Sequence, residues 1–149
     1  MTTTTEQIAG ETAALDLMRG YLAADPNAVA AAMQAGAACK TTGAYMRQQV
    51  SGLLHDAVLA DPAFSPHERA VMGAAGVTWL DGVPMEEPVA AVVLALAGDG
   101  GAPRVHLDDA QWTTVYAVSA VARLLAVYGM DATVQRLDRL REAVADPCG

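Results

Sequence analysis

Apolar residues recur along most of the chain at the three- and four-residue spacing that is typical of amphipathic helices. This spacing predicts a first helix over about residues 6–24. It predicts a second helix that begins at Asp25-Pro26, because proline is acceptable in a first helical turn. We expect the second helix to loosen around residues 40–43 and a third to run over residues 44–60.

Two capping signatures mark helix starts in the second half of the chain. Ser65 is followed three residues later by Glu68, and this spacing predicts a capping box. Asp108 has Gln111 at the same spacing, and it predicts a long helix through Tyr128. Because this long helix is apolar on nearly every side, we expect it at the centre of a bundle.

The C-terminal part is predicted to form one more helix. Gly129 is expected to end the long helix, and Asp131 is expected to cap the last one. A single narrow apolar stripe follows, formed by Val134, Leu137, Leu140 and Val144. Such a stripe predicts a helix that lies on the surface of the bundle.

The apolar run over residues 89–97 is compatible with either a helix or a strand. Pro88 and Gly98 bound it, and its length suits either a buried helix or a buried strand. Its alanines and leucines favour a helix, and the sequence contains no convincing second strand that could pair with it. We therefore expect a helix here.

Composition supports an all-α fold. Apolar residues make up 53% of the 149 positions and charged residues 17%, which excludes a disordered chain. We predict a compact single-domain bundle of about six helices over residues 1–149, with flexible ends at about 1–5 and 145–149. A variant is a stack of helical hairpins, because Leu22-Ala23, Leu59-Ala60 and Leu96-Ala97 recur every 37 residues.

The balance of acidic and basic residues argues against one class of binding partner, nucleic acid. The formal net charge is -8, and the basic cluster of Arg136, Arg139 and Arg141 is interleaved with Asp138 and Glu142. A nucleic-acid-binding protein normally has a basic surface that neutralises phosphates, so we expect no nucleic acid as a partner. The preference for arginine over lysine indicates a GC-rich, bacterial genome.

The sequence also predicts a cytoplasmic protein without a membrane segment. The N-terminus lacks the basic start and apolar run of a signal peptide. The most apolar runs, 89–97 and 115–127, are short of the roughly 20 residues of a membrane-spanning helix or are interrupted by polar residues. Cys39 and Cys148 are widely separated and are expected to be free thiols.

Residues that could carry chemistry are few. His55 and His67 each precede a carboxylate, but adjacent helical residues point in different directions, so we predict no metal site and no cofactor. Cys39 precedes Lys40, which could lower its thiol pKa. The alanines before Cys39 instead favour a buried structural cysteine. No nucleophile motif or phosphate-binding loop is present, so we predict no catalytic residue.

A short segment before the helix at Ser65 resembles two known families. The run Asp61-Pro62-Ala63-Phe64-Ser65-Pro66-His67-Glu68-Arg69 is similar to the loop and helix cap of tellurite-resistance TerB-like helical domains. It also resembles the corresponding entry in carboxymuconolactone decarboxylase-type proteins. The redox members of that family carry a Cys-x-x-Cys shortly afterwards, whereas residues 79–84 here contain no cysteine. No site residue is transferred from either family.

The candidate binding residues lie at the start of the predicted third helix and at two histidines. They are Tyr45, Arg47, Gln48, Gln49, His55 and His67. Tyrosine and arginine are enriched at interface hot spots, but the preferred interpretation of the first four residues is a partly exposed helix face.

Three functions follow as hypotheses. The first is a small protein-interaction module, an adaptor or modulator of another protein, that self-associates as a homodimer because one bundle has difficulty burying all the apolar stripes. The alternative is a protein that binds an apolar small molecule between helices, lined by the adaptable methionines Met18, Met33, Met72 and Met85. A second alternative is an enzyme whose site is assembled from Tyr45, His55 and His67.

Overall fold

A computed structural model of the chain describes residues 4–60, 83, 85–97 and 105–145. These residues form five helices and no strand: α1 (Thr5–Leu22), α2 (Pro26–Gly36), α3 (Lys40–Ala60), α4 (Glu87–Ala97) and α5 (Asp109–Ala145). The predicted all-α class is confirmed. The helix predicted after Ser65 lies outside the described residues.

Two predicted helix starts are confirmed by their side-chain caps. Asp25 Oδ1 accepts hydrogen bonds from the backbone N–H groups of Asn27 and Ala28 at 3.1 and 3.2 Å, just before α2. At the start of α5, the Gln111 N–H donates to Asp108 Oδ1 at 2.8 Å, and the Asp108 N–H donates to Gln111 Oε1 at 2.9 Å. Each cap satisfies backbone donors that have no partner within the helix.

The predicted loosening over residues 40–43 is wrong, because α3 begins at Lys40 and the chain leaves the helix over residues 37–39 instead. Cys39 occupies the capping position. Its carbonyl accepts from the Gly43 N–H at 3.1 Å, and its sulfur accepts from the Thr42 N–H at 3.4 Å. The cysteine thereby replaces the serine, threonine or aspartate that usually marks a helix start.

Residues 89–97 are helical, as favoured by their composition. Val89, Val92 and Val93 are buried, and they share one face of α4 through the i, i+3, i+4 spacing of a helix. This face packs on α5, where it meets Val115 and Val118. A single helix can therefore bury this apolar run without a partner strand.

The backbone of α5 is kinked at the predicted break. Gly129 has φ 80° and ψ 174°, a left-handed conformation that favours glycine, and helix resumes directly after it. In the following segment Leu137 is buried, while Val134, Leu140 and Val144 are half-buried among mostly exposed neighbours. The single apolar stripe predicted for a surface helix is thus present.

The first half of α5 lies between two parts of the core. On one side it packs against α1 and α3 in the larger apolar cluster, to which Ala117, Val121 and Leu124 contribute. On the other side it packs against α4 through Val115 and Val118. This position agrees with the central place predicted for a helix that is apolar on nearly every side.

The second half of α5 lies antiparallel to α1. Arg19 Nε is 3.1 Å from Asp138 Oδ1, and Arg141 Nε is 2.7 Å from Asp16 Oδ1. The earlier residue of α1 pairs with the later residue of α5, and the later with the earlier, as expected for antiparallel helices. Because all four side chains are substantially exposed, each pair contributes at most about 1 kcal/mol to stability.

One stretch among the described residues, Asp109–Val144, is long and apolar enough to cross a membrane by length and composition alone. Its most apolar window has a mean hydropathy of 1.3 and is 44% buried inside the protein. The core helix of a soluble protein meets the same criterion, so this stretch is weak grounds for a membrane assignment.

The three Leu-Ala pairs of the possible 37-residue repeat all fall at helix ends. Leu22 is the last residue of α1, Ala60 the last of α3 and Ala97 the last of α4. The hairpins that such a repeat requires include residues outside the described ranges, so the repeat stays a prediction.

Candidate binding cleft

A cleft of about 360 Å³ lies where four elements meet. Tyr21 at the end of α1 and Met33 on α2 line one side of it. The start of α4 and the start of α5 line the other side. The volume is at the lower end of the roughly 300–1,000 Å³ that is usual for ligand pockets.

The apolar part of the cleft lies at the junction of the two core clusters. Met33 packs against the larger cluster, Met85 packs against the cluster around α4, and Tyr21 packs against both. Val89, only 2% exposed, also lines the cleft. Flexible methionine side chains on a rigid base give a surface that can adjust to an apolar molecule.

The polar part of the cleft is built from the helix cap of α5. Gln111, which closes the capping box with Asp108, also donates from its Nε2 to Glu86 Oε2 at 2.9 Å. One glutamine side chain therefore ties the start of α4 to the start of α5. Glu86, Asp108 and Gln111 all line the cleft, so this hydrogen-bonded network forms part of its wall.

The side chains of Tyr21 and Thr114 both line the cleft and are hydrogen-bonded to each other. Burial raises the pKa of the Tyr21 hydroxyl above its ordinary value, and hydrogen bonding with the Thr114 side chain opposes that shift. The Thr114 hydroxyl also donates to the Ala110 carbonyl at 3.2 Å. Tyr21 therefore stays protonated at neutral pH, and its hydroxyl oxygen can still accept a hydrogen bond beside the apolar side chains of the cleft.

The binding residues predicted on the third helix do not line this cleft. Tyr45 is half-buried, and its Cβ lies so close to Gly10 that it forms part of the contact between α3 and α1. Gln48 is exposed, Gln49 is half-buried, and Arg47 Nη2 is 3.9 Å from Asp109 Oδ2. These four residues form a partly exposed helix face, and Arg47 connects that face to the start of α5.

Only one of the two candidate histidines lies among the described residues. His55 is exposed on α3, and His67 lies outside the described residues. Tyr45 and His55 are ten residues apart on one helix, which separates them by roughly 15 Å along its axis at 1.5 Å per residue. The structure therefore does not bring these two proposed members of an enzyme site together.

The prediction of a buried structural Cys39 is wrong, because the residue is exposed. Its position before the first turn of α3 places it at the surface, where its sulfur lies 3.1 Å from Thr42 Oγ1. Hydrogen bonding by the Thr42 side chain, followed by that of the Thr42 N–H, lowers the pKa of the Cys39 thiol.

Two of the four methionines named as a possible ligand lining lie at this cleft. Met33 and Met85 line the cleft, Met18 is fully buried in the core, and Met72 lies outside the described residues. Sequence reasoning missed Tyr21 and Glu86 as cleft residues. They belong to different helices, and no local spacing connects them.

Within the described ranges, no group of three or more His, Cys, Asp or Glu side chains is arranged to hold a metal ion. No protein-family model, curated protein or solved structure matches the chain.

Proposed function

We propose that the protein binds a small molecule with an apolar part and a polar part in the cleft between α1, α2, α4 and α5. The observation that carries this proposal is the cleft of about 360 Å³ that Met33 and Met85 line from opposite core clusters. A ligand seated there replaces solvent against apolar side chains, which favours binding in proportion to the apolar area that it covers.

The cleft also offers groups that can orient such a ligand. Tyr21 supplies a hydroxyl beside the apolar side chains, and Gln111 and Glu86 supply further polar atoms in the lining. More of the exposed lining of the cleft is polar than apolar, so polar contacts with a ligand matter here beside the apolar ones. The chemistry therefore favours a compact ligand with one apolar end and one polar end.

Three probes of similar size test the proposal: hexylamine, hexanol and hexanoate, titrated at neutral pH while amide shifts are followed by NMR. At least one should give saturable shifts centred on Tyr21, Met33 and Val89. At a free ligand concentration of ten times the Kd, binding raises the free energy of unfolding by about 1.4 kcal/mol. In a domain of this size that raises Tm by roughly 3–6 °C.

A blocking variant and a matched control make the test specific. Ala110→Trp places a bulky ring at the exposed α5 edge of the cleft and should abolish binding. Ala143→Trp makes the same change at an exposed position on the other half of α5, away from the cleft residues, and should leave binding unchanged. Equal binding by both variants would place the ligand elsewhere and refute the proposal.

A second candidate function is a self-associating protein-interaction module. Tyr128 and Met130 flank the kink at Gly129 and are 36% and 48% exposed. The Arg136 guanidinium lies 4.3 Å from the centre of the Tyr128 ring. Exposed aromatic and methionine side chains beside an arginine are favoured at interfaces.

Light scattering in the presence of reductant tests this second function. A homodimer should show twice the 15.4 kDa chain mass, and Met130→Glu should shift it toward the monomer. Arg139→Ala, which changes an exposed residue on the same segment, serves as the control. A mass near 15.4 kDa that is unchanged on concentration would exclude self-association.

We also propose the finer architecture of one single-domain helical bundle. The left-handed Gly129 supports a division of α5 into two helices at the position predicted from the sequence, which makes six helices among the described residues. A helix that begins after Ser65 would be the seventh, one more than the roughly six predicted. Hydrogen-exchange protection of the amides that follow Ser65 would test its presence.

A further inference from the structure

The charged residues at the cleft are all of one sign. Among the described residues that line it, Glu86 and Asp108 are charged and both are acidic. Two more carboxylates, Glu87 and Asp109, follow them directly in the first turns of α4 and α5. An anionic ligand would therefore meet repulsion at this wall.

The positive ends of the two helix dipoles offset part of the negative charge of these carboxylates, but not all of it. Each helix N-terminus carries about half a positive charge, so α4 and α5 together supply about one. Arg47, 3.9 Å from Asp109, supplies another. Counted over the described residues alone, four carboxylates against these two positive charges leave an excess of about two negative charges beside the cleft.

The carboxylates of Glu86 and Asp108 in the cleft lining also provide hydrogen-bond acceptor atoms. Gln111 uses Glu86 Oε2 and Asp108 Oδ1 in its hydrogen bonds, whereas Glu86 Oε1 and Asp108 Oδ2 take part in neither of them. A carboxylate can accept several hydrogen bonds and donates none when ionised. An ammonium group, with up to three donors and a positive charge, complements such a wall.

We propose that the ligand of the cleft is a small amine whose ammonium group lies beside Glu86 and Asp108 and whose apolar part lies against Met33, Met85 and Val89. This inference rests on the proposed function, because it names the class of molecule that the same cleft takes. The net charge of -8 acts in the same direction by raising the local concentration of cations and lowering that of anions.

The relative affinities of the three probes test the charge of the ligand. Hexylamine is protonated at neutral pH and should bind about tenfold more tightly than hexanol, as expected for a charge-assisted hydrogen bond at a partly exposed site. Hexanoate, with the same chain and the opposite charge, should give no saturable shifts. Added salt should weaken the binding of hexylamine and leave that of hexanol unchanged.

A neutral variant of equal size tests which carboxylate acts. Glu86→Gln keeps an oxygen that can accept from Gln111 and should weaken hexylamine binding about fivefold, while hexanol binding stays the same. Glu87→Gln removes the same charge from the next residue, which does not line the cleft, and should weaken hexylamine binding less than twofold. Both positions are exposed, so both variants should keep the fold, and loss of one carboxylate at the start of α4 should lower Tm by at most roughly 2–4 °C.

The outcomes separate this inference from the proposed function. If hexanol or hexanoate binds as tightly as hexylamine and Ala110→Trp abolishes that binding, the cleft binds ligands but the amine assignment is wrong. Equal losses in Glu86→Gln and Glu87→Gln would also overturn the assignment, because the effect would then come from net charge alone. If none of the probes binds, both the proposed function and the inference are wrong.

Discussion

Gly10→Ala and Gly52→Ala make the same change in two helices, and the structure predicts opposite effects on stability. A Cβ at Gly10 on α1 would lie 2.6 Å from both the Thr42 carbonyl oxygen and the Tyr45 Cβ of α3. A Cβ at Gly52 would have no atom of the described residues within 4 Å, apart from its own helix backbone and chain neighbours. The two sites differ in packing, while the backbone conformation at both is helical.

Two opposing effects determine the magnitudes. Alanine is favoured over glycine in a helix interior by about 1 kcal/mol, and both variants gain this. Overpacking a tight contact costs roughly 1–3 kcal/mol. The cost at Gly10 belongs at the upper end, because the Thr42 carbonyl is backbone and cannot rotate away. We therefore expect Gly52→Ala to stabilise by about 1 kcal/mol and Gly10→Ala to destabilise by about 2 kcal/mol.

Urea and thermal unfolding, followed by far-UV circular dichroism, measure both variants. In a domain of this size, 1 kcal/mol shifts Tm by roughly 2–4 °C, so the two melting temperatures should separate by roughly 6–12 °C. The dependence of the free energy of unfolding on urea should not change. If Gly10→Ala stabilises the protein as much as Gly52→Ala does, α1 and α3 do not approach each other as described.

Three further changes test other parts of the structure. Asp108→Ala removes the side-chain cap of α5 and should lower the free energy of unfolding in urea by about 1 kcal/mol. Thr133→Val should raise it by up to about 1 kcal/mol, because Thr133 Oγ1 is buried with no hydrogen-bond partner in the described part of the chain; a loss of stability would show that the hydroxyl is bonded. In a Cys148→Ser background, the alkylation rate of Cys39 should rise at lower pH than that of an ordinary thiol, because its lowered pKa gives more thiolate at neutral pH. Thr42→Val should move that rise to higher pH by removing the hydroxyl contact, and an unchanged profile would refute this cause.

Local sequence determined the helical class and several helix ends. Asp25 and Asp108 cap the helices that follow them, because a capping side chain reaches amides only two or three residues away. Gly129 interrupts α5 where the sequence placed a break, because its left-handed conformation is a property of that residue. The 89–97 segment also adopts the helix that its alanines and leucines favour.

The local sequence pattern predicted the wrong start for α3 and the wrong burial for Cys39, the residue before it. Cys39 is an uncommon helix cap, so neither its role nor its exposure followed from the alanines before it. The surroundings of Tyr45 also depend on a neighbouring helix, while its predicted binding role stays a prediction. Whether a half-apolar helix face meets solvent or another helix depends on the neighbour, and here Gly10 lets α1 approach Tyr45 closely.

The candidate cleft was decided by tertiary structure alone. Sequence reasoning named Met33 and Met85 as adaptable lining residues, but Tyr21, Glu86 and Thr114 join them only because α1, α4 and α5 meet there. Their mutual positions depend on which apolar faces pack together, a choice made between residues far apart in the chain. Helix type and capping are settled over a few neighbouring residues, whereas a cleft between four elements exists only after those elements have packed.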